Sequence, residues 1–496
     1  MNRNILKDYA PRARTAFIQA IADKAALYGI TEEGILPCEV KGDFAFIGGR
    51  HFPKIVDTQR RELLRQINKH SFSYVMEEIA YTWFNRFAAI RFMEVNGYLS
   101  HGYRVLSHPE GHNIPEIVEK AQFVEMTGLD KEEVIRLKMA GDRDDELYNR
   151  LLVAQCNELS SAMPFLFEKV DDPTELLLPD NLLHTGSIVR DMVETIPEED
   201  WREVEIIGWL YQFYISEKKD ALIKAKKAYK SEDIPAVTQL FTPNWIVKYL
   251  IQNTLGAKWL RTYPTSSLKD KMEYYIEPAE QTLEVIEELR RITPSSLNPE
   301  EITVMDPACG SGHILVEAYD LLKEIYLERG YRRRDIPRLI LEKNLFGLEI
   351  DDRAAQLAGF ALMMKARQDD GGIFERNVKP NVLVIKSVKG EGVKFGLEVF
   401  ENADTFGSLI RIPDGLKKSL PVMKKGIDEL ERKGDLLSHN MIEDLRHIVR
   451  QTELLSRRYD VVVTNPPYIG NFTTGHFLLD SIESNRYLHF LIQEVI

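Results

Sequence analysis

Cysteine is scarce in this sequence of 496 residues. Its three cysteines, Cys38, Cys156 and Cys309, lie far apart and form no CxxC pair. A disulfide framework needs an even set at close spacings, and a zinc cluster needs paired thiolates. The sequence therefore predicts neither a disulfide-stabilised fold nor a metal site, and such cysteine usage is typical of the reducing cytoplasm.

Long apolar runs and an excess of basic residues are also missing. No stretch of about 18 apolar residues occurs that could span a bilayer, and charges interrupt the amino terminus, unlike a secretion signal. We therefore expect a cytoplasmic protein without a membrane partner. The formal net charge of −13 argues against a surface that embraces DNA throughout, because phosphate neutralisation needs clustered Lys and Arg. Two local basic runs, 218–230 and 332–338, are typical of solvated helix faces.

The patterning of the chain changes near residue 231. Before it the pattern is helical, and Ile79, Trp83, Phe87 and Ile90 form one apolar stripe that predicts a buried helix face. After it, short apolar runs alternate with helical segments, which indicates an α/β fold with a doubly wound, Rossmann-like parallel sheet. We predict a helical amino-terminal domain over 1–230 and the sheet domain over 231–496, with an insertion at about 390–434.

Four apolar runs are predicted to form the parallel strands of this sheet, namely 302–305, 345–350, 381–385 and 460–464. Helices are predicted to begin near Gly312, Arg353 and His439. The last helix should pack against the sheet through one face. That face consists of Met441, Leu445, Ile448, Thr452 and Leu455.

A glycine-containing turn follows the first predicted strand. It reads Asp306, Pro307, Ala308, Cys309, Gly310, Ser311 and Gly312. Glycines between a strand and a helix allow the backbone to approach a ligand closely and present its amides. A dinucleotide fingerprint needs a third small residue where Leu315 stands, and a phosphate loop needs GK[ST], which is absent. The turn therefore favours a methyl-donor site over either nucleotide site.

Glu349 ends the second predicted strand. A carboxylate at that position can accept hydrogen bonds from two ribose hydroxyls. The alternative is an ordinary loop charge, with Asp351 or Asp352 as the N-cap of the following helix. We favour the ribose role for Glu349, because ligands of doubly wound folds bind at the carboxyl ends of the strands.

Upstream, Phe241, Thr242 and Pro243 precede an apolar helical segment. Thr242 is predicted to be the N-cap and Pro243 the first helical residue. Exposed amides at such a helix start would suit the methionine carboxylate of a cofactor. Alone, the motif is equally typical of a well-capped helix, so its weight comes from its neighbours.

Asn465, Pro466, Pro467 and Tyr468 follow the fourth predicted strand. The exocyclic amine of adenine is a poor nucleophile because its lone pair is delocalised into the ring. The Asn465 side-chain carbonyl and the Pro466 backbone carbonyl could each accept one amine hydrogen, which would direct the lone pair at a sulfonium methyl group. Tyr468 offers a flat face on which an extruded base could stack. A plain proline turn is the alternative. It does not explain why this motif follows a predicted helix start, a glycine turn and a strand-tip acid in that order.

Together these elements resemble the gamma-type amino-methyltransferases of DNA, in which the FTP element precedes the glycine turn and NPPY follows both. The resemblance implies S-adenosylmethionine as cofactor, bound by Phe241-Thr242-Pro243 and by the DPACGSG turn, with the strand-tip acid Glu349 on its ribose. It implies transfer to adenine N6 in double-stranded DNA by the NPPY residues.

Two longer segments resemble the PglX family, the adenine-specific methyltransferases of BREX phage-resistance systems. These are NILKDYAPRARTAFIQAIADKAALYGIT and EIIGWLYQFYISEKKDALIKAKK. The resemblance extends over nearly all of the chain up to Tyr468. It implies a role in phage defence and other BREX components as partners.

The sequence departs from the gamma-type pattern in two ways. The family usually has an acidic residue after the third strand to contact the cofactor's adenine, where this chain has Lys386 and Ser387. Only 28 residues follow Tyr468, too few for the family's three further strands and a target-recognition domain. We therefore expect a sheet incomplete at its carboxyl-terminal end, and impaired catalysis.

Two other functions remain open. Glutamine-N5 methyltransferases acting on translation release factors also use NPPY followed by Ile, which is Ile469 here, although they lack the FTP element and the helical domain. A non-catalytic fragment that binds the cofactor or other defence proteins is the second. Methylation assays on DNA and on release factor would separate the adenine from the glutamine methyltransferase, and cofactor binding without transfer to either would support the non-catalytic fragment.

Overall fold

The computed structural model describes residues 1–167, 173–225, 233, 236–237, 241–388, 397–433 and 439–466. The chain forms two compact units. The first comprises Met1–Tyr214, Tyr326–Glu342 and Gln356–Pro380, and the second comprises Ile215–Ile325, Lys343–Ala355 and Asn381–Ile496. The predicted domain boundary near residue 230 stays a prediction. Among the described residues, no helix is both long and apolar enough to cross a membrane.

The first 225 residues are mostly helical. The helices are α1 (Arg3–Leu27), α2 (Ile55–Lys69), α3 (Phe72–Asn96), α4 (Glu116–Glu119), α5 (Lys131–Ala140), α6 (Asp144–Leu159), α7 (Pro173–Leu176), α8 (Ile188–Thr195), α9 (Glu205–Tyr214) and α10 (Ser216–Ala225). A small antiparallel sheet consists of β1 (Cys38–Lys41), β2 (Phe44–Ile47) and β3 (Arg50–Pro53).

Helix α3 forms the centre of the first unit. Ser71 caps its start by accepting a hydrogen bond from the Tyr74 amide at 3.2 Å, and Gly97 ends it in a left-handed conformation. The predicted apolar stripe of this helix is buried, which confirms that prediction. Its members are at most 6% exposed: Ile79, Trp83, Phe87 and Ile90.

Helices and parallel strands alternate after residue 241. The helices are α11 (Asn244–Ile251), α12 (Ala257–Thr262), α13 (Leu283–Ile292), α14 (His313–Glu328), α15 (Ile336–Leu339), α16 (Asp352–Asp369), α17 (Leu397–Phe400), α18 (Ala403–Phe406), α19 (Asp414–Lys433) and α20 (His439–Ser456). The strands are β4 (Val304–Asp306), β5 (Leu345–Glu349), β6 (Asn381–Val384) and β7 (Val461–Val462).

The four strands form one parallel sheet in the order β6-β5-β4-β7. Every predicted strand is present, and helices begin at His313, Asp352 and His439, each within one residue of its predicted start. The α/β class with a parallel sheet is therefore confirmed. Asp460 fixes β7 beside β4, because its carboxylate accepts hydrogen bonds from the amide and the hydroxyl of Thr303, both at 3.0 Å.

Helix α20 packs against this sheet through Ile448, which is fully buried with Met305, Phe346 and Leu348. The predicted face of α20 is thus confirmed for Ile448, while Met441 lies outside the residues whose side chains are described. The segment predicted as an insertion also contributes to this core. Its described part, 397–433, is mainly helical and buries Phe400, Ala403 and Leu416 in the same cluster.

Candidate functional site

Three polar side chains follow the carboxyl ends of neighbouring strands. Asp306 ends β4, Glu349 ends β5, and Asn465 comes three residues after β7. The Val463 amide still donates to the Met305 carbonyl at 3.0 Å, so the β7 segment continues beside β4 toward Asn465. Because the strands are parallel, the structure brings these three residues to one edge of the sheet, where ligands of α/β folds bind.

The turn after β4 depends on its glycines. Gly310 and Gly312 have positive φ angles of 52° and 86°, a region that residues with a Cβ atom rarely adopt. The Cys309 amide donates to the Leu348 carbonyl at 2.9 Å, and the Gly312 amide donates to the Cys309 carbonyl at 2.8 Å. The turn is therefore fixed against β5 before α14 begins at His313.

Glu349 supports this turn, a role that sequence reasoning missed. Its carboxylate accepts hydrogen bonds from the amides of Gly310 at 2.7 Å, Ile350 at 2.9 Å and Asp351 at 3.1 Å. A carboxylate offers about four lone-pair positions. Three are occupied, which leaves room for one ribose hydroxyl where the sequence predicted two. Asp351 accepts from the Arg353 amide at 3.1 Å, as the predicted N-cap of α16 should.

Burial makes ionisation costly at this edge. Burial, with a smaller contribution from the nearby Glu349 carboxylate, raises the pKa of Asp306, which is 1% exposed, to about 7. Burial also raises the pKa of Glu349 to about 7, although the three amides oppose that shift. Two carboxyl groups that titrate near neutral pH favour a ligand that brings positive charge or hydrogen-bond donors.

Helix α11 begins one residue later than predicted. Pro243 is its N-cap, with φ −52° and ψ 137°, and the Pro243 carbonyl accepts from the amides of Ile246 at 2.9 Å and Val247 at 3.2 Å. The prediction that Thr242 caps this helix is therefore wrong. Pro243 is extended and already supplies the first helical acceptor, while the Thr242 hydroxyl contacts Asn465 instead.

Asn465 joins the two ends of the predicted site. Its side-chain amide nitrogen donates to the Thr242 hydroxyl oxygen at 3.0 Å, although the two residues lie 223 positions apart in the chain. This bond uses the Nδ2 side of the amide and directs Oδ1 elsewhere as an acceptor. Pro466 is exposed beside it, and the predicted residues Pro467 and Tyr468 lie outside the described part of the chain.

His313 contacts the FTP segment, and sequence reasoning missed it. One ring nitrogen, Nδ1, lies 2.9 Å from the Thr242 carbonyl oxygen, and Nε2 lies 3.3 Å from the Asn244 side-chain nitrogen. The imidazole stacks on the Phe241 ring with centroids 4.4 Å apart and planes 5° apart. Its position directly after the glycine turn was the available signal.

The end of β6 has no acidic residue of its own. Lys386 forms an ion pair with Asp352 at 2.8 Å, and the Ser387 hydroxyl donates to the Asp404 carboxylate at 2.7 Å. The structure thus places an acid from α18 beside Ser387, 17 residues further along the chain. Sequence spacing alone could not show this, because the intervening segment had no predicted structure.

Among the described residues of the first unit, three side chains with metal-ligand chemistry lie close together. Ligand atoms of His108, His112 and Glu119 lie within 4.8 Å of one another. However, the Glu110 amide donates to His108 Nδ1 at 3.1 Å, so the neutral ring carries its proton on Nε2. That nitrogen faces Glu119 at 3.4 Å as a donor, so a metal ion could bind it only if the proton moved to Nδ1 and the hydrogen bond from Glu110 were lost.

Comparisons with known proteins agree with the predicted resemblance. The family described as "MmeI, DNA-methyltransferase domain" matches residues 284–385, and the family described as "Eco57I restriction-modification methylase" matches residues 343–490. A solved structure of the Type IIL restriction-modification enzyme MmeI in complex with DNA is 17% identical and covers 70% of this chain and 45% of that chain. Its TM-score of 0.28 is too low to support a fold or a function.

Two curated relatives match nearly the whole chain. The adenine-specific methyltransferase BrxX of Escherichia coli O9:H4 (strain HS) is 48% identical, and the adenine-specific methyltransferase PglX of Lacticaseibacillus casei (strain Zhang) is 36% identical. Each alignment covers 95% of this chain and 43% of the relative. The resemblance to adenine-specific methyltransferases is thereby confirmed, and the chain spans less than half the length of these relatives.

Proposed function

We propose that the chain carries the cofactor-binding and amine-positioning parts of a site-specific DNA methyltransferase that methylates adenine N6 in double-stranded DNA. The contact between Asn465 and Thr242 at 3.0 Å is the observation that carries this proposal. This hydrogen bond joins Asn465, which is expected to position the amine, to the 241–243 segment, which is expected to bind the cofactor. A role in BREX-type phage defence, together with other BREX components, follows from the similarity to BrxX and PglX.

The residues at the strand edge fit S-adenosylmethionine. Its ammonium and sulfonium groups are cationic, and its ribose hydroxyls are hydrogen-bond donors. Both kinds of group stabilise the ionised carboxylates of Asp306 and Glu349, which burial disfavours. A phosphate-bearing nucleotide would add negative charge at the same place. We assign Phe241, Thr242, Pro243, the turn 306–312 and Glu349 to the cofactor, in a doubly wound, Rossmann-like sheet. Asp404 is the candidate for the cofactor's adenine amine.

The protein's contribution to the reaction is to position and polarise the amine. The Asn465 side-chain oxygen and the Pro466 carbonyl oxygen each accept one hydrogen of the adenine amine, so its lone pair leaves conjugation with the ring. Tyr468 stacks on the extruded base, which offsets part of the cost of base flipping, a few kcal/mol. S-adenosylmethionine supplies the electrophilic methyl group.

Substitution of Asn465 tests the proposal. We expect Asn465→Ala to lower methyl transfer to duplex DNA by roughly 100-fold or more, because one of two preorganised acceptors is lost. Binding of S-adenosylmethionine should change little. The assay follows labelled methyl groups into duplex DNA and, in parallel, into a translation release factor, with the longest natural polypeptide that contains this chain.

Asn4→Ala provides the matched control, since Asn4 is an exposed asparagine of α1. This variant should transfer methyl groups like the wild type. Transfer to the release factor and not to DNA would favour the glutamine methyltransferase. Cofactor binding without transfer to either substrate would favour the non-catalytic function, and equal activity of the Asn465 and Asn4 variants would refute the assigned role of Asn465.

A further inference from the structure

One imidazole contacts three residues around Pro243. His313 is 8% exposed, and its ring lies parallel to Phe241 while its two nitrogens lie near Thr242 and Asn244. Pro243 has no backbone N–H with which to stabilise this bend. The side chain of His313 therefore adds polar contacts on both sides of Pro243.

The two polar contacts define the tautomer of His313. A carbonyl oxygen only accepts hydrogen bonds, so Nδ1 must carry the proton that is donated to the Thr242 carbonyl at 2.9 Å. In the neutral ring Nε2 is then an acceptor, which matches the Asn244 side-chain amide at 3.3 Å. Both ring nitrogens are used, and the ring can neither rotate nor exchange tautomers without losing contacts.

Thr242 connects this ring to Asn465. Its carbonyl accepts from His313, and its hydroxyl accepts from the Asn465 amide at 3.0 Å. Thr242 itself is only 7% exposed. A shift of Thr242 would therefore displace the hydroxyl that contacts the Asn465 amide, and would move the Asn465 side chain with it.

We infer that His313 is a positioning residue that acts through Thr242 and keeps the Asn465 side chain in place beside the substrate amine. The inference rests on the proposed methyl transfer. Small displacements of reacting groups reduce rates strongly, by up to roughly 100-fold for about 1 Å.

Three substitutions separate the contacts of the ring. His313→Asn retains a donor near the position of Nδ1, His313→Gln retains an acceptor near Nε2, and His313→Phe retains only the stacking on Phe241. We expect kcat to fall by roughly tenfold or more in the Gln and Phe variants, with partial rescue in the Asn variant. The cofactor Kd and the KM for DNA should change less than kcat does.

A double-mutant cycle tests the path through Thr242. Thr242→Val removes the hydroxyl that holds Asn465, so adding His313→Phe to this variant should cost much less than it does in the wild type. Nitrogen-15 NMR of His313 should show a protonated Nδ1 and an unprotonated Nε2. Thermal melting and S-adenosylmethionine binding establish that each variant folds. If His313→Phe does not fold, His313→Asn takes its place in the cycle.

The outcomes distinguish this inference from the proposed function. A wild-type protein that methylates adenine together with a fully active His313→Phe variant would refute the role of His313 alone. Additive losses in the cycle, or a proton on Nε2, would refute the path through Thr242. A wild-type protein that transfers no methyl group to adenine would refute the proposed function, and the positioning role with it.

Discussion

Glu349 supports the glycine turn, and we propose that the same carboxylate binds the cofactor's ribose, so its ionisation would affect both roles. Its carboxylate holds the Gly310 amide at 2.7 Å and retains about one lone-pair position for a ribose hydroxyl. Because burial raises its pKa to about 7, protonation near neutral pH occupies an oxygen that must accept hydrogen bonds. Ligand binding at this edge should therefore respond to pH.

We expect the affinity for S-adenosylmethionine to rise by about tenfold between pH 6 and pH 8. With a pKa of about 7, roughly one Glu349 in ten is ionised at pH 6 and nine in ten at pH 8. A raised carboxyl pKa means that the binding-competent form is lost as the pH falls through 7. Isothermal titration calorimetry at several pH values measures this dependence.

Glu349→Gln is the matched variant, since glutamine has a similar size and does not ionise. It should bind the cofactor more weakly at pH 8, because it offers one acceptor oxygen for three amides. Its dependence on pH should be smaller, with Asp306 accounting for what remains. A pH dependence as steep as that of the wild type would contradict the assigned role of Glu349.

Residues at strand ends could be predicted from sequence, whereas their contacts could not. The apolar runs before Asp306, Glu349 and Asn465 predicted strands, and parallel strands bring their carboxyl ends to one edge. The amides around Glu349 depend on how the glycine turn closes. The contact between His313 and Thr242 joins residues 71 positions apart. It depends on the rotamer of the imidazole, which the spacing of residues in the sequence does not predict.

Among the elements, β5 must lie close to the turn that follows β4. A Cβ atom on Gly347 would lie 2.8 Å from Leu315 Cδ1 and 3.0 Å from Cys309 Sγ. Both neighbours belong to the turn and helix that cradle the proposed cofactor. The absence of a side chain at Gly347 is therefore what allows β5 and the turn to pack together.

Gly347→Ala should destabilise the protein by about 1–3 kcal/mol, because the core must shift to admit the new methyl group. Cofactor binding should weaken as well, since Leu315 and Cys309 would move. Denaturant unfolding monitored by circular dichroism measures the first effect, and calorimetry measures the second.

Gly426→Ala is the contrasting substitution within helix α19. A Cβ atom there would meet nothing within 4 Å, so alanine should stabilise the helix by about 0.5–1 kcal/mol. Cofactor binding should not change. If both alanine variants had the same stability as the wild type, close packing between β5 and the turn would not be a determinant of this fold.

Element types could be predicted more reliably than element ends. The strands and the starts of α14, α16 and α20 follow from apolar periodicity and agree with the structure to within a few residues. The predicted start of α11 was wrong by one residue: Pro243 is the N-cap, and the Thr242 hydroxyl contacts Asn465, which is distant in sequence. The helices within 397–433 were not predicted, although α19 carries a helical apolar stripe that the sequence shows: Leu416, Leu420, Met423, Ile427 and Leu430.

At the scale of the whole molecule, charge limits how the chain can bind DNA. The net charge is −13, and three arginines of the basic run 332–338 lie beside acidic residues. Arg333 is 3.2 Å from Asp369, Arg338 is 3.0 Å from Glu342, and Arg334 is 3.8 Å from Asp335. The acids reduce the positive field of the run, and its arginines are solvated as predicted. The prediction of a helix face is wrong for 332–335, because helix α15 begins only at Ile336.

We therefore expect this chain alone to bind duplex DNA weakly, with a Kd no tighter than about 1 μM at roughly 0.15 M salt. The logarithm of the affinity should fall only shallowly with the logarithm of salt concentration, with a slope no steeper than about −3, because few phosphates would be neutralised. Fluorescence anisotropy of a labelled duplex in a salt series gives both values.

Arg333→Gln and Arg338→Gln test the basic run directly. Since both side chains already face carboxylates, each substitution should change the DNA affinity by less than about twofold and leave the salt slope unaltered. Nanomolar binding with a slope near −6 would require about six to seven neutralised phosphates. If these two substitutions then reduced that slope, the run would be a phosphate-binding surface, and the solvated-face interpretation would be wrong.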